Sequence, residues 1–135
     1  MIPQFDHLGL AVKHPKKAQD FLSLLGYHFT EPTFDELQKV SIIMATNKYQ
    51  PDIEIIFSDD ENSPIKNILK SNDQLIYHLC YKAEEPQLFI KNLKLNKVKV
   101  TCISSPKKAI VFQNKKVSFY FVDGFGVIEI IHLSS

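Results

Sequence analysis

The sequence predicts an α+β fold built from two copies of one βαβββ module. Residues 7–30 (HLGLAVKHPKKAQDFLSLLGYHFT) align without a gap on residues 78–101 (HLCYKAEEPQLFIKNLKLNKVKVT). A second match follows, because VSIIMATNKYQPDIEII and VSFYFVDGFGVIEII both open on Val-Ser and both end in IEII. A duplicated folding unit is the simplest account of the two matches.

The first module begins with an apolar strand over residues 4–12. A helix is predicted to start at Pro15, because proline suits the first helical turn. Apolar side chains at helical spacing continue up to Gly26, a residue typical of helix ends. Three short strands are predicted to follow, near residues 27–31, 38–46 and 52–58.

The second module repeats this order. We predict a strand at 75–83, a helix at 86–96, and strands near 97–103, 116–122 and 126–133. Between the modules, SDDENSPIKNILKSND predicts a linker helix at about 63–72. The lysine-rich stretch SSPKKAIVFQNKK, residues 104–116, is predicted to be a solvated loop. These elements form a single predicted domain over residues 1–135, with modules at about 1–58 and 75–135.

Length and charge narrow the function classes. A chain of 135 residues can bury the core of one domain. Its formal charge of +1 gives no reason to expect nucleic acid or an anionic membrane as partner. All basic residues are lysines, which disfavours sites that need a bidentate guanidinium. The amino terminus has no secretory pattern and no window approaches a membrane span, so we expect a cytoplasmic protein. Cys80 and Cys102 lie in strand-like runs without CxxC spacing, so we expect two buried thiols.

The stretch PDIEIIF places one carboxylate, Glu54, among four large apolar residues. Alternate side chains of a strand share a face, so Glu54 would share its face with Ile56. A carboxylate on an apolar face costs several kcal/mol unless it is paired, protonated or bound to a metal. Taken alone, the segment also fits an ordinary exposed glutamate.

The repeat changes that interpretation, because each polar residue has a counterpart. Glu54 corresponds to Glu129 in the second IEII, and His7 corresponds to His78. If the two sheets face one another, all four side chains can converge. Two imidazoles and two carboxylates suit one divalent ion of the Zn, Ni, Co or Mn group. The alternative is a pair of buried His–Glu salt bridges that need no metal.

At these positions the chain resembles the vicinal oxygen chelate superfamily, which includes glyoxalase I, methylmalonyl-CoA epimerase, extradiol dioxygenases and bleomycin-resistance proteins. The resemblance rests on FDHLGLAVK, DIEIIFSDDENSPI, IYHLCYKAEE and GVIEII. It implies paired βαβββ modules that form a curled, cup-like mixed sheet with helices outside. It also implies a homodimer and a metal held in the cup by His7, Glu54, His78 and Glu129.

Within the superfamily, HLGLAV, EIIFSDDENSPI and YHLCYKAEEP are most similar to the epimerase branch. Two features depart from it. Epimerases often have Gln at the position of Glu54, where glyoxalase I characteristically has Glu. The epimerases also usually carry a Gly-rich segment where this chain has AIVFQNKK.

The resemblance implies a metal-dependent isomerase or epimerase that removes a proton alpha to the carbonyl of a small acyl thioester such as methylmalonyl-CoA. Glu129 would serve both as a ligand and as the base, and Glu36 would be the second catalytic carboxylate. One alternative is a glyoxalase I, a lactoylglutathione lyase acting on a thiol hemithioacetal. The other is a metal-free protein that sequesters a small molecule such as a drug.

Overall fold

The computed structural model describes residues 2–134, so the predicted ends of the domain, Met1 and Ser135, lie outside the described residues. Contacts between Cα atoms divide the chain into two compact units. The first unit is His7–Tyr77, and the second comprises the described residues up to Asp6 together with those from His78 onward. The prediction that both belong to a single domain stays a prediction.

The first unit contains a mixed sheet. The elements whose sequence lies wholly or partly in this unit are β1 (Gln4–Val12), α1 (Pro15–Leu24), β2 (His28–Phe29), β3 (Thr33–Asp35), β4 (Val40–Thr46), β5 (Asp52–Phe57), α2 (Ile65–Ile68) and the start of β6 (Gln74–Ala83). The strand order is β2-β4-β5-β1, and the short strand β3 pairs with β4. The β1–β5 pair is parallel, and the β2–β4, β3–β4 and β4–β5 pairs are antiparallel.

The second unit repeats the arrangement. Its elements are the remainder of β6 (Gln74–Ala83), α3 (Pro86–Leu95), β7 (Val100–Ala109), a 3₁₀ turn (Ile110–Phe112), β8 (Lys115–Val122) and β9 (Gly126–His132). The strand order is β6-β9-β8-β7. The β6–β9 pair is parallel, and the β9–β8 and β8–β7 pairs are antiparallel. The predicted α+β class and the repeated βαβββ order are confirmed, with β3 as an extra short strand in the first unit.

Both long helices end in the same way. Gly26 follows α1 with φ +90°, and Lys97 follows α3 with φ +64°. The amide of the next residue then reaches back to the helix, since Tyr27 N donates to Leu22 O at 3.1 Å and Val98 N donates to Leu93 O at 2.9 Å. These bonds satisfy carbonyls that the helix end leaves open. The repeat therefore extends to the backbone conformation of the helix caps.

Each helix packs on one face of its own sheet, which we call the helix face. In the first unit, Leu22 packs against a cluster on that face that includes Val12, Ile43 and Ile55. In the second, Ile90 packs against a cluster that includes Ile128 and Ile130. The opposite face of each sheet is therefore free of these helices, and it carries the histidines and glutamates.

Three sequence predictions are corrected. Residues 104–109 are not a loop, because β7 runs on to Ala109 and pairs with β8, with Lys107 opposite Val117. Only residues 110–114 form the turn between the two strands. Lys107 and Lys108 are exposed on β7, and the strand ends at the buried Ala109. The predicted linker helix at about 63–72 is shorter in the structure, where it spans Ile65–Ile68. Cys80 is buried as predicted, but Cys102 is exposed.

Among the described residues, no helix is long and apolar enough to span a membrane.

Candidate metal centre

The first unit holds a buried histidine–glutamate pair on two neighbouring strands. In the parallel register of β1 and β5, Gly9 lies opposite Glu54. His7 stands two residues before Gly9 and therefore points to the same face, which makes His7 and Glu54 diagonal neighbours. His7 Nε2 lies 3.4 Å from Glu54 Oε1, and the two side chains are 0% and 4% exposed.

The second unit holds the same pair in the same register. Cys80 of β6 lies opposite Glu129 of β9, and His78 stands two residues before Cys80. His78 Nε2 lies 3.1 Å from Glu129 Oε1, with side-chain exposures of 0% and 2%. Each unit thus presents one imidazole nitrogen and one carboxylate oxygen side by side. That the four residues are metal ligands stays a prediction.

The spacing within each pair fits neighbouring ligands of a metal ion. An imidazole nitrogen and a carboxylate oxygen each bind Zn²⁺ at about 2.1 Å, so two of them about 90–110° apart lie about 3.0–3.4 Å from one another. The observed separations, 3.4 Å and 3.1 Å, fall in that range. Each buried His–Glu pair could therefore hold a divalent ion through one nitrogen and one oxygen.

Each carboxylate has an apolar neighbour on the adjacent strand. Glu54 lies opposite Met44 in the β4–β5 ladder, and Glu129 lies opposite Phe119 in the β8–β9 ladder. The ring of Phe119 also meets the ring of His78 edge-on, with centroids 5.3 Å apart. Glu54 is buried, which excludes the exposed glutamate that its segment alone would allow. Burial away from water strengthens any charge interaction that these side chains make.

The ladders also refine the internal alignment. Ile42 lies opposite Ile56, two residues beyond Glu54, and Val117 lies opposite Ile131, two residues beyond Glu129. Ile42 is therefore the structural counterpart of Val117, whereas the sequence match had paired Val117 with Val40. The shift is two residues, so every side chain keeps its face.

Glu36 occupies an exposed turn between β3 and β4, while its neighbour Asp35 is buried. Asp35 Oδ1 accepts hydrogen bonds from the amides of Leu37 and Gln38, at 3.0 and 3.1 Å, and Oδ2 accepts one from Gln38 Nε2 at 2.9 Å. Sequence reasoning missed this buried carboxylate, although aspartate is a common residue at the start of such turns. The catalytic role of Glu36 stays a prediction.

Comparison with known proteins agrees with this architecture. Residues 6–121 match the glyoxalase/bleomycin resistance protein/dioxygenase superfamily. The chain belongs to that superfamily. The resemblance predicted from the sequence is thereby confirmed, and the superfamily accounts for most of the chain. No curated protein matches the sequence.

Several solved structures are similar to this superfamily member. Methylmalonyl-CoA epimerase from Mycobacterium tuberculosis matches with a TM-score of 0.76 and 17% identity, over 98% of this chain and 89% of that one. A hypothetical protein from Bacillus halodurans gives 0.80 and 19%, over 100% and 97%. A Streptomyces coelicolor methylmalonyl-CoA epimerase variant in complex with 2-nitronate-propionyl-CoA gives 0.71 and 14%, over 100% of both chains. At these identities the likeness shows a shared fold.

Proposed function

We propose that this protein is a metal-dependent enzyme that removes a proton alpha to the carbonyl of a small acyl thioester, as an epimerase of methylmalonyl-CoA does. The observation that carries the proposal is the pair of buried His–Glu contacts, 3.4 Å and 3.1 Å, in matching positions of the two units. Two of the three similar structures described above are methylmalonyl-CoA epimerases, and one of those is in complex with 2-nitronate-propionyl-CoA. These likenesses support the class of reaction.

The metal ligands in this proposal are His7, Glu54, His78 and Glu129, which together would bind one ion. Two imidazole nitrogens and two carboxylate oxygens suit Zn, Ni, Co or Mn and leave positions for substrate oxygens. When bound, the ion would act as a Lewis acid that stabilises negative charge on the substrate carbonyl oxygen. Both neutral imidazole and ionised carboxylate are the forms that such an ion requires.

The residues themselves move the proton. We assign the base to Glu129, whose carboxylate is buried beside His78 and Phe119. Its side chain is only 2% exposed, so bulk water competes little for the proton. Epimerisation also needs a proton donor on the opposite face of the substrate, and Glu36 is our candidate for that role.

A glyoxalase I reaction is the second candidate, and one residue favours it. Position 54 is Glu, as the resemblance implies for glyoxalase I, and its carboxylate lies beside His7. The substrate would then be a thiol hemithioacetal, and the proton would return to the adjacent carbon. The same four ligands and the same base serve both reactions.

We also propose a cytoplasmic homodimer with a small-molecule substrate and without nucleic acid or membrane as a partner. A formal charge of +1 supplies no attraction to polyanions. The homodimer follows from the resemblance to the superfamily.

The first experiment measures metal in the purified protein before and after incubation with Zn, Ni and Co. We expect about one divalent ion per chain, since the four proposed ligands of a chain would bind a single ion. Absence of bound metal after all three incubations would contradict both enzyme proposals and leave the metal-free binding protein.

The second experiment follows methylmalonyl-CoA in deuterated water with the metal-loaded protein. The epimerase proposal expects deuterium at the alpha carbon, and Glu129→Gln should abolish the incorporation. If Glu36 is the second acid, Glu36→Gln should slow racemisation at the alpha carbon. An unchanged rate of racemisation would show that Glu36 takes no part in the reaction. No exchange, together with turnover of a methylglyoxal hemithioacetal, would instead support the glyoxalase.

A further inference from the structure

The first unit contains a cavity of about 470 Å³ between α1 and the sheet. Its walls are mainly apolar side chains on the helix face and on α1, including Leu10, Ala18, Leu22 and Ile53. Leu8, Leu10 and Val12 alternate along β1 with His7 and Gly9, so the cavity lies on the face opposite the candidate metal ligands. It therefore belongs to a different site from the one proposed above.

The second unit has a groove at the equivalent place, but that groove measures only about 190 Å³. When the internal alignment is extended without a gap, several lining residues of the two sites correspond. Val12 of β1 corresponds to Ala83 of β6, and Ala18 of α1 corresponds to Phe89 of α3. Leu10, which also lines the cavity, corresponds to Tyr81. Phe89 and Tyr81 pack against the core of the second unit. The small residue at position 18 thus leaves open a space that an aromatic ring occupies in the other unit.

The charges at the two openings also differ. His14 and Lys17 line the cavity of the first unit, whereas the corresponding residues Glu85 and Leu88 line the smaller groove. Asp73 also lines the larger cavity, but its carboxylate is met by Lys13, with Nζ to Oδ1 at 3.3 Å. The rim therefore offers the ammonium group of Lys17 and the imidazole of His14 above an apolar interior.

We propose that this cavity is a binding site for a medium-chain carboxylate. The chain of the ligand would lie against the apolar walls, and its carboxylate would meet Lys17 and His14 at the rim. A volume of about 470 Å³ lies within the range of small-molecule pockets, and apolar walls with a few polar groups at one end are typical of them. Charge complementarity selects the acid over a neutral lipid.

The test uses decanoate as the probe and decanol as its neutral counterpart, with binding to the full chain measured by calorimetry. Decanoate is expected to bind, and Ala18→Phe should weaken it about tenfold or more, because the ring would take the volume of several methylene groups. The variant copies the residue that this chain already has at position 89. Ala18→Leu, a smaller change, should give an intermediate affinity and serves if the phenylalanine variant misfolds.

Lysine variants test the rim independently of the cavity volume. Lys17→Gln should weaken decanoate about twofold to fivefold and leave decanol unchanged, since an exposed ion pair contributes modestly. Lys91→Gln, an exposed lysine on α3 away from the cavity, is the matched control and should change neither affinity.

Three results would overturn the proposal. One is the absence of decanoate binding to the unchanged protein, and another is equal binding to the Ala18→Phe variant. The third is a dimer of the unchanged protein that Ala18→Phe dissociates, measured by sedimentation, which would assign the cavity to a second copy of the chain. The metal-dependent reaction should be the same in the Ala18 variants, so its success or failure is decided separately.

Discussion

The two units share one buried histidine–glutamate pair and differ in the side chains around it. Both place a histidine diagonally across from a glutamate, with Nε2 to Oε1 distances of 3.4 Å and 3.1 Å. The residue directly opposite the glutamate, two positions after the histidine, is Gly9 in the first unit and Cys80 in the second. On the helix face, Ala18 in one unit stands where Phe89 stands in the other.

This contrast separates two kinds of requirement. A nitrogen and an oxygen that share an ion must keep one register, because a slip of a single residue would turn either side chain to the other face. Apolar positions need only fill the available volume, so a large residue in one unit can be replaced by a small one in the other. The matching pairs support the proposed metal site, and the unequal helix faces support the proposed ligand site of the first unit.

The largest expected effect comes from removing one histidine of each pair. If both pairs serve one ion, His7→Ala and His78→Ala should each weaken zinc binding by about 100-fold or more, since even residues behind the ligands contribute 10–100-fold. Titration of the metal-stripped variants with Zn²⁺ by calorimetry measures this. If one variant keeps the full zinc affinity of the unchanged protein, the two His–Glu pairs are not equivalent and do not share one ion.

The control for this prediction is His28→Ala. His28 is exposed on β2 and contributes to neither pair, so its replacement should leave zinc affinity unchanged. A buried salt bridge without metal predicts a different pattern, in which no variant alters zinc binding because the unchanged protein binds none.

A smaller effect is expected at the ends of the two long helices. Lys97 has a left-handed conformation at φ +64°, where the first unit has Gly26 at φ +90°. Lys97→Gly should raise the free energy of unfolding by about 0.5–1 kcal/mol, because glycine adopts this conformation without steric cost. Gly26→Ala should lower it by about 1–2 kcal/mol.

Urea denaturation of the two variants measures both changes. A Cβ at Gly26 would meet Asn47 Nδ2 at 3.4 Å, an ordinary contact, so the expected loss comes from backbone strain. If Lys97→Gly is instead destabilising, the lysine side chain makes a contribution that its backbone conformation does not reveal.

The smallest effect concerns His132, which stands in β9 where β5 has Phe57. Burial, and secondarily the charge of Lys116, lower the pKa of His132 below its usual value. The unfolded chain therefore binds this proton at a higher pH than the folded chain does. The contribution to stability is present above about pH 6.5 and is lost as the pH falls through the lowered pKa.

Urea midpoints at pH 7.5 and pH 5 test this prediction. His132→Phe copies the first unit and should lose less stability on acidification than the unchanged protein, with the difference between the two isolating His132 from the other histidines. Ser118 Oγ lies 2.8 Å from His132 Nε2, so the variant loses this contact at either pH. Equal pH dependence in both proteins would contradict the assignment.

Much of the fold could be predicted because its signals are local. The apolar runs, Pro15 and Pro86 at the helix starts, and the repeated IEII each act through neighbours along the chain. The segment 104–116 could not be predicted in this way. Lys107 and Lys108 are exposed, as they would be in either a loop or an outer strand, and only the pairing of β7 with β8 distinguishes the two.

The sequence by itself determined the duplication, the α+β class and the identity of the histidines and glutamates, because residue order and side-chain periodicity are enough for each. Only the tertiary structure decided that His7 lies beside Glu54 and His78 beside Glu129, since strand register joins residues distant in the chain. It also decided that Ala18 leaves a cavity where Phe89 packs against the core. Volume between a helix and a sheet depends on how distant side chains meet, and the sequence carries no direct measure of it.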